Sequence, residues 1–212
     1  MNKRVLIVIL AVVGIVVVLA LLANPAAESS QAEPSLPVPT QPDDSFSQYP
    51  IEAREATHAG DPRLPAYWAL WNTCADENRA DIAKANGGRD NGWFLMDDLI
   101  ADPGIQLGDL PIDTCEQGLA LLEGYSTDGE DFSGDAYRLA GQLLAAELNL
   151  NAGAESCPIA EEAVIGSHII LSSLGFNSTG TYDDAITSDL ANSITPILDL
   201  LTGYNSGELC IN

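Results

Sequence analysis

The chain of 212 residues carries 31 Asp and Glu against 8 Lys and Arg, a formal net charge of -23 at pH 7. Such a surface repels phosphate backbones and anionic headgroups, which argues against nucleic acid as a partner; it suits divalent cations, basic partners or a high-salt surrounding. P-loop, GxGxxG, GxSxG and HExxH patterns are all missing, so no motif assigns a cofactor or a catalytic centre.

Met1-Asn2-Lys3-Arg4 is a short basic start, and Val5 to Ala23 is an unbroken apolar run long enough to cross a bilayer as a helix. The positive start predicts the N-terminus inside and the remainder outside. A signal peptide has a shorter apolar core, about 7–15 residues. Residues 5–23 therefore read as an uncleaved anchor, with cleavage near Ala23 or Ala27 as the alternative. No Cys follows the run directly, which excludes a lipoprotein anchor. Residues 24–62 hold Pro25, Pro34, Pro37, Pro39, Pro42 and Pro50 among Ser, Gln, Glu and Asp. A segment so poor in large apolar residues reads as a linker of extended, polyproline-like character, with a reach of up to ~100 Å. His58 falls within it and needs no role. The remaining residues, 63–212, are roughly 150, enough for one domain with its own core.

That domain opens with Pro65-Ala-Tyr-Trp-Ala-Leu-Trp-Asn-Thr-Cys74, a helix with Pro in its first turn. Tyr67, Trp68 and Trp71 in it form an aromatic cluster, either core or a platform for a sugar ring. Ala80 to Gly88 reads as a helix end with a left-handed glycine cap, and Gly92 to Ile100 as a short helix closed by Asp102-Pro103-Gly104. Asp113 to Gly124 begins with capping-box chemistry, from Asp113 with Glu116 or from Thr114 with Gln117. Leu121-Leu-Glu-Gly-Tyr-Ser126 echoes Leu200-Leu-Thr-Gly-Tyr-Asn205, which suggests two helix ends sharing a glycine cap and a tyrosine folded back on the last turn.

The stretch Asp135 to Leu150 is the expected centre. On a helical wheel Arg138, Gln142 and Asn149 make one narrow stripe, and Leu139, Ala140, Leu143, Leu144, Ala146, Leu148 and Leu150 fill most of the rest. A helix apolar over that much of its surface has to be covered from several sides. Cys157-Pro158 opens the next helix, which runs to a cap at Gly175, and Tyr182 to about Leu201 forms the last, kinked near Pro196. No segment shows strand alternation. The expected fold is all-α, a compact bundle of about five to six helices around the central helix 135–150, stapled by two disulfides and preceded by a transmembrane helix.

Cys74, Cys115, Cys157 and Cys210 contain no CxxC pair and fit no zinc spacing. Behind an export signal they read as two disulfides. Of the three connectivities, Cys74 with Cys115 and Cys157 with Cys210 is expected, because elements close in sequence are neighbours in a short-loop bundle. The end of the last helix would then return beside the start of the helix before it.

Chemistry is sparse. His168 is the domain's one histidine, set among Ile165, Ile169 and Leu171 beside Ser167, and reads as structural rather than as a base. Asp97-Asp98, Glu161-Glu162 and Asp183-Asp184 read as solvated faces or helix starts. Glu147 falls inside the apolar arc of the central helix, where a carboxylate needs a partner such as Arg79 or Arg89, or an escape to solvent. Asp128, Glu130, Asp131 and Asp135 offer hard oxygen ligands to calcium in a loop that Gly129 and Gly134 allow to turn, although the spacing is not that of an EF-hand. Asn177-Ser178-Thr179 matches a glycosylation acceptor.

Tyr67-Trp68…Trp71…Cys74, Thr114-Cys115, Ala140-x-Gln142-Leu143-Leu144-Ala145-Ala146-x-Leu148-Asn149 and Gly153-Ala154-x-x-Cys157 together resemble a secreted module with a Gly-Tyr-Trp-Lys-type opening. Such modules occur on bacterial and archaeal surface proteins, often beside adhesion-type domains. The likeness covers roughly residues 65–160; Ala66 stands where the family tends to have Gly and Ala69 replaces the Lys. The resemblance implies a surface location and a binding or structural role, and it supplies no catalytic residues. The expectation is a membrane-tethered, extracytoplasmic, non-enzymatic module contacting a cell-surface protein or glycan. The alternative is an extracellular hydrolase of cell-wall or polysaccharide polymer working through two acids across a cleft.

Overall fold

The computed structural model describes residues 61–127 and 134–210. The expected anchor at 5–23, nearly all of the linker, and Asp128, Glu130 and Asp131 lie outside them. Among the described residues the chain is mostly helical, with seven α-helices: α1 Pro65–Leu70, α2 Asn78–Ala85, α3 Met96–Ala101, α4 Cys115–Leu122, α5 Asp135–Asn151, α6 Pro158–Leu174 and α7 Ser188–Asn205. A two-stranded antiparallel hairpin, β1 Ile105–Leu107 and β2 Leu110–Ile112, lies between α3 and α4. That hairpin corrects the all-α expectation, and seven helices exceed the five to six expected.

Helix α5 is the centre, packed against α1, α3, α4, α6, α7 and β1. Its Leu139, Ala140, Leu143, Leu144, Ala145, Ala146 and Leu148 are buried. Gly141 is required where α4 crosses it, since a Cβ there would lie 2.8 Å from the Leu121 carbonyl oxygen. Around this axis α4 starts with the capping box that Thr114 and Gln117 make, the Gln117 N–H donating to Thr114 Oγ1 and the Thr114 N–H to Gln117 Oε1. Helix α6 has Pro158 in its first turn and ends at Gly175 with φ 63°, as its sequence predicts.

Several helices are shorter or shifted. Helix α1 stops at Leu70 rather than reaching Cys74, because the Asn72 side chain draws off the local backbone. Its Nδ2 donates to the Trp68 and Ala69 carbonyls and its Oδ1 accepts from the Ala75 N–H. Helix α3 begins at Met96 rather than Gly92, since the Met96 N–H is taken by the Trp71 carbonyl at 2.9 Å. The last helix begins at Ser188, capped by Thr187 Oγ1, runs on through Pro196 to Asn205, and is preceded by a 3-10 turn at Asp183–Ala185. The repeated Leu-Leu-x-Gly-Tyr words are not equivalent. Gly124 follows α4 at φ 83° with Tyr125 largely exposed, whereas Gly203 and Tyr204 lie within α7 and Tyr204 is fully buried.

The hairpin is a tight one. Gly108 and Asp109 form its loop; φ is 63° at Gly108 and not positive at Asp109, the pattern of a type II′ turn. Its inward residues Ile105, Leu107 and Ile112 are buried, while Gln106 and Pro111 face out. The loop seats against α6, because a Cβ on Gly108 would lie 2.7 Å from the Ser172 backbone nitrogen. Two disulfides close the structure, Cys74–Cys115 with Cα atoms 6.0 Å apart and Cys157–Cys210 at 5.5 Å. They are the pairs that short connections between neighbouring elements favour.

Candidate functional site

The polar chemistry of the domain gathers where its first residues cross the end of α5. Asn149 on α5 is 0 % exposed, and each of its hydrogen-bonding positions is filled. Its Oδ1 accepts from the Arg63 N–H at 2.9 Å and from Trp68 Nε1–H at 3.1 Å. Its Nδ2 donates to the Arg63 carbonyl and to Asn205 Oδ1, both at 2.9 Å. Asn205 on α7 passes the network on, donating to the Gln142 carbonyl and to Gln142 Oε1. A buried polar network saturated in this way specifies one packing of the surrounding elements.

Above Asn149 sits Arg63, 7 % exposed. No carboxylate pairs with it among the described residues. Its Nη2 donates to the Gly92 carbonyl at 2.7 Å, and its guanidinium lies over the rings of Tyr67 at 4.7 Å, Trp68 at 5.4 Å and Phe94 at 5.7 Å. A cation–π cage of this kind is strongest where water is excluded. Burial holds the Arg63 guanidinium below the usual arginine range, partly offset by Tyr67 and Asp61. Burial likewise raises the Tyr67 hydroxyl, against the opposing influence of Arg63.

The aromatic cluster is thus joined to the chain's own cations. Trp68 is fully buried, with its indole N–H on Asn149. Tyr67 and Trp71 are half-buried and stacked at 6.1 Å, Trp71 meets Trp93 edge to face at 5.0 Å, and Arg79 lies 4.9 Å over Trp71. Arg63, Phe94 and Trp93 complete an assembly of which the sequence had singled out only Tyr67, Trp68 and Trp71. The signal available was an Arg two positions ahead of a helix whose first turn carries two aromatic rings.

A second polar junction joins α5, α6 and the hairpin. His168 Nε2 and Glu147 Oε1 lie 2.7 Å apart, and the Gly108 N–H donates to His168 Nδ1 at 3.1 Å. With Nδ1 accepting, the ring proton sits on Nε2 and is donated to Glu147. Both ring nitrogens are committed to the fold, so the imidazole has no lone pair free to take a proton from a nucleophile, and Ser167 Oγ donates instead to the Ala163 carbonyl. The partner of Glu147 is therefore His168, not Arg79 or Arg89: Arg79 lies 3.4 Å from Asp76 across the first turn of α2. Nearby on α7 the Tyr204 hydroxyl is buried without a partner and is pushed up to about 12 by burial, reinforced by the charge of Glu147.

Three further acids serve local structure. Asp97 accepts from the Thr73 N–H and hydroxyl, Glu161 accepts from Ser156, and Asp135, the described member of the expected calcium set, pairs with Arg138 at 3.2 Å. A cleft of about 230 Å3 runs between the end of α4, α5 and α7, lined by Leu122, Glu123, Arg138, Gln142, Leu198 and Thr202 among others. Two acids set across a cleft are what the hydrolase alternative needs, and Glu123 is the one acid in this lining. No family model, curated protein or solved structure matches the chain.

Proposed function

We propose that this protein is a membrane-tethered extracytoplasmic module without enzymatic activity, serving as an interaction or structural domain at the cell surface. The observation that carries the reading is the pair of disulfides, Cys74–Cys115 and Cys157–Cys210, which belong to an oxidising compartment. The apolar run at 5–23 and the Pro-rich segment behind it supply the tether and the stalk. The resemblance of residues 65–160 to a secreted surface module points the same way. In support of a binding or scaffolding role, the two polar junctions are committed to the fold: Asn149 is saturated, and His168 is spent on Gly108 and Glu147.

The test uses intact cells expressing the full chain. External protease should remove the domain, the apolar segment should keep the remaining fragment in an alkaline-washed membrane pellet, and a thiol-alkylating reagent should label no cysteine before reduction. A protease-protected domain with four alkylated cysteines would refute the reading. Release of reducing ends from cell-wall polymer by the purified chain would refute its non-enzymatic part.

A further inference from the structure

We propose that Asn177 is an N-glycosylation site, modified by a glycan carried on a polyprenyl phosphate or diphosphate; the inference rests on the extracytoplasmic location proposed above. The tripeptide Asn177-Ser178-Thr179 is the required acceptor pattern, but tripeptides recur by chance, and the fold supplies the argument. Ser178 adopts φ 61° and turns the chain so that Thr179 returns over the Asn177 side chain. Asn177 Oδ1 accepts from the Thr179 N–H at 3.1 Å, the Thr179 hydroxyl at 2.9 Å and the Tyr182 hydroxyl at 2.6 Å. The Asn177 N–H donates in turn to the Tyr182 oxygen at 2.9 Å. Every bond to the side-chain amide is therefore made at its oxygen. Nδ2, the atom that receives the sugar, has no partner among the described residues, and Asn177 is exposed.

The turn is also pinned. Ser178 is buried, its carbonyl accepts from the Thr127 N–H at 3.0 Å, and its hydroxyl lies 2.9 Å from that of Thr127. The acceptor is held outward by the residue between Asn177 and Thr179, and exposed Gly180 and Thr181 follow. In the transfer Asn177 Nδ2 forms a bond to the anomeric carbon, the bond from that carbon to the phosphate oxygen breaks, and the electron pair leaves with the lipid phosphate. The amide gives up one proton, taken by the departing lipid phosphate or by solvent, and keeps the other. No electron changes hands between donor and acceptor, and each hydrogen bond of the turn survives because none uses Nδ2.

The test is mass spectrometry of the full chain purified from the membranes of its own cells. No Lys or Arg follows Arg138, so trypsin leaves the region in one long piece; cleavage after Glu162 and before Asp183 isolates 163–182 with Asn177 inside. The expected result is that peptide carrying a glycan mass on Asn177, lost in Asn177→Gln and Thr179→Ala and kept in Thr179→Ser, which preserves the hydroxyl. Unmodified Asn177 in protein whose cysteines are all oxidised overturns this proposal and leaves the location standing. Unmodified Asn177 with free thiols overturns both. A glycan mass that persists in Asn177→Gln places the modification elsewhere and overturns the assignment to Asn177.

Discussion

Replacing Asn149 with alanine removes four hydrogen bonds from one fully buried point. The partners stay behind: the Arg63 N–H and carbonyl, the Trp68 indole N–H and Asn205 Oδ1 all remain within the fold. A buried group left unsatisfied costs about 1–3 kcal/mol, well above the ~1 kcal/mol net value of an ordinary hydrogen bond. Taking the low end for each orphan, Asn149→Ala should lose about 4 kcal/mol, a large fraction of the ~5–15 kcal/mol that holds a domain folded. Gln142→Ala is the control. It removes Oε1 from Asn205 but leaves the main-chain carbonyl as acceptor, so a loss of about 1 kcal/mol is expected. Urea unfolding followed by tryptophan fluorescence, disulfides intact, measures both; the midpoint should fall at unchanged slope. A loss below about 1 kcal/mol for Asn149→Ala would refute the reasoning, since it would mean that the network is not what holds Arg63, Trp68 and Asn205 together.

Trp68→Ala should cost about 3–5 kcal/mol and Trp71→Ala less, because only Trp68 is fully enclosed; equal losses in urea titrations would contradict this ranking. The Tyr204 hydroxyl, raised to about 12 in the fold, favours the folded state fully below the unfolded value near 10, and that advantage is lost as pH rises to about 12, by up to about 3 kcal/mol. Tyr204→Phe should flatten this part of the stability profile, and because the hydroxyl has no partner, it should cost little at neutral pH. Gly108→Ala puts a Cβ 2.7 Å from the Ser172 nitrogen at φ 63°, and a loss of about 1–3 kcal/mol in thermal unfolding is expected. Replacing Cys157 and Cys210 with alanine opens a loop of 53 residues, which chain entropy values at about 4 kcal/mol; an unchanged unfolding midpoint would show the C-terminus held by packing alone.

Apolar periodicity made α5 legible, because a helix covered on nearly all sides leaves the same record whichever elements cover it. Pro158, Gly175 and the Thr114–Gln117 box likewise wrote their helix limits into the sequence. The hairpin went unread although Ile105-Gln-Leu and Leu110-Pro-Ile alternate about a Gly-Asp loop, itself a hairpin signal. Strands of three residues give too few alternations to count, and Pro111 weighs against a strand until it is seen at an outward position. The sites resisted for another reason. Asn149 was visible as one polar position in an apolar helix, but its partners Arg63 and Asn205 lie 86 and 56 residues away. Pairings over such distances follow from which elements cross, and no local pattern encodes the crossing. Glu147 showed the same limit: its need for a partner was readable, its choice of His168 was not.

Asn149 touches Arg63 at one end of the domain and Asn205 at the other, and this has a consequence for cooperativity. Terminal segments ordinarily fray at little cost, opening and closing many times for each global unfolding event. Here opening either end carries a cost, since peeling back Arg63 strips Asn149 of two bonds and the loss of Asn205 strips it of a third. The amide of Arg63 should therefore exchange with deuterium as slowly as those in the middle of α5. A protease cutting after Arg63 would then have to wait for the fold to open.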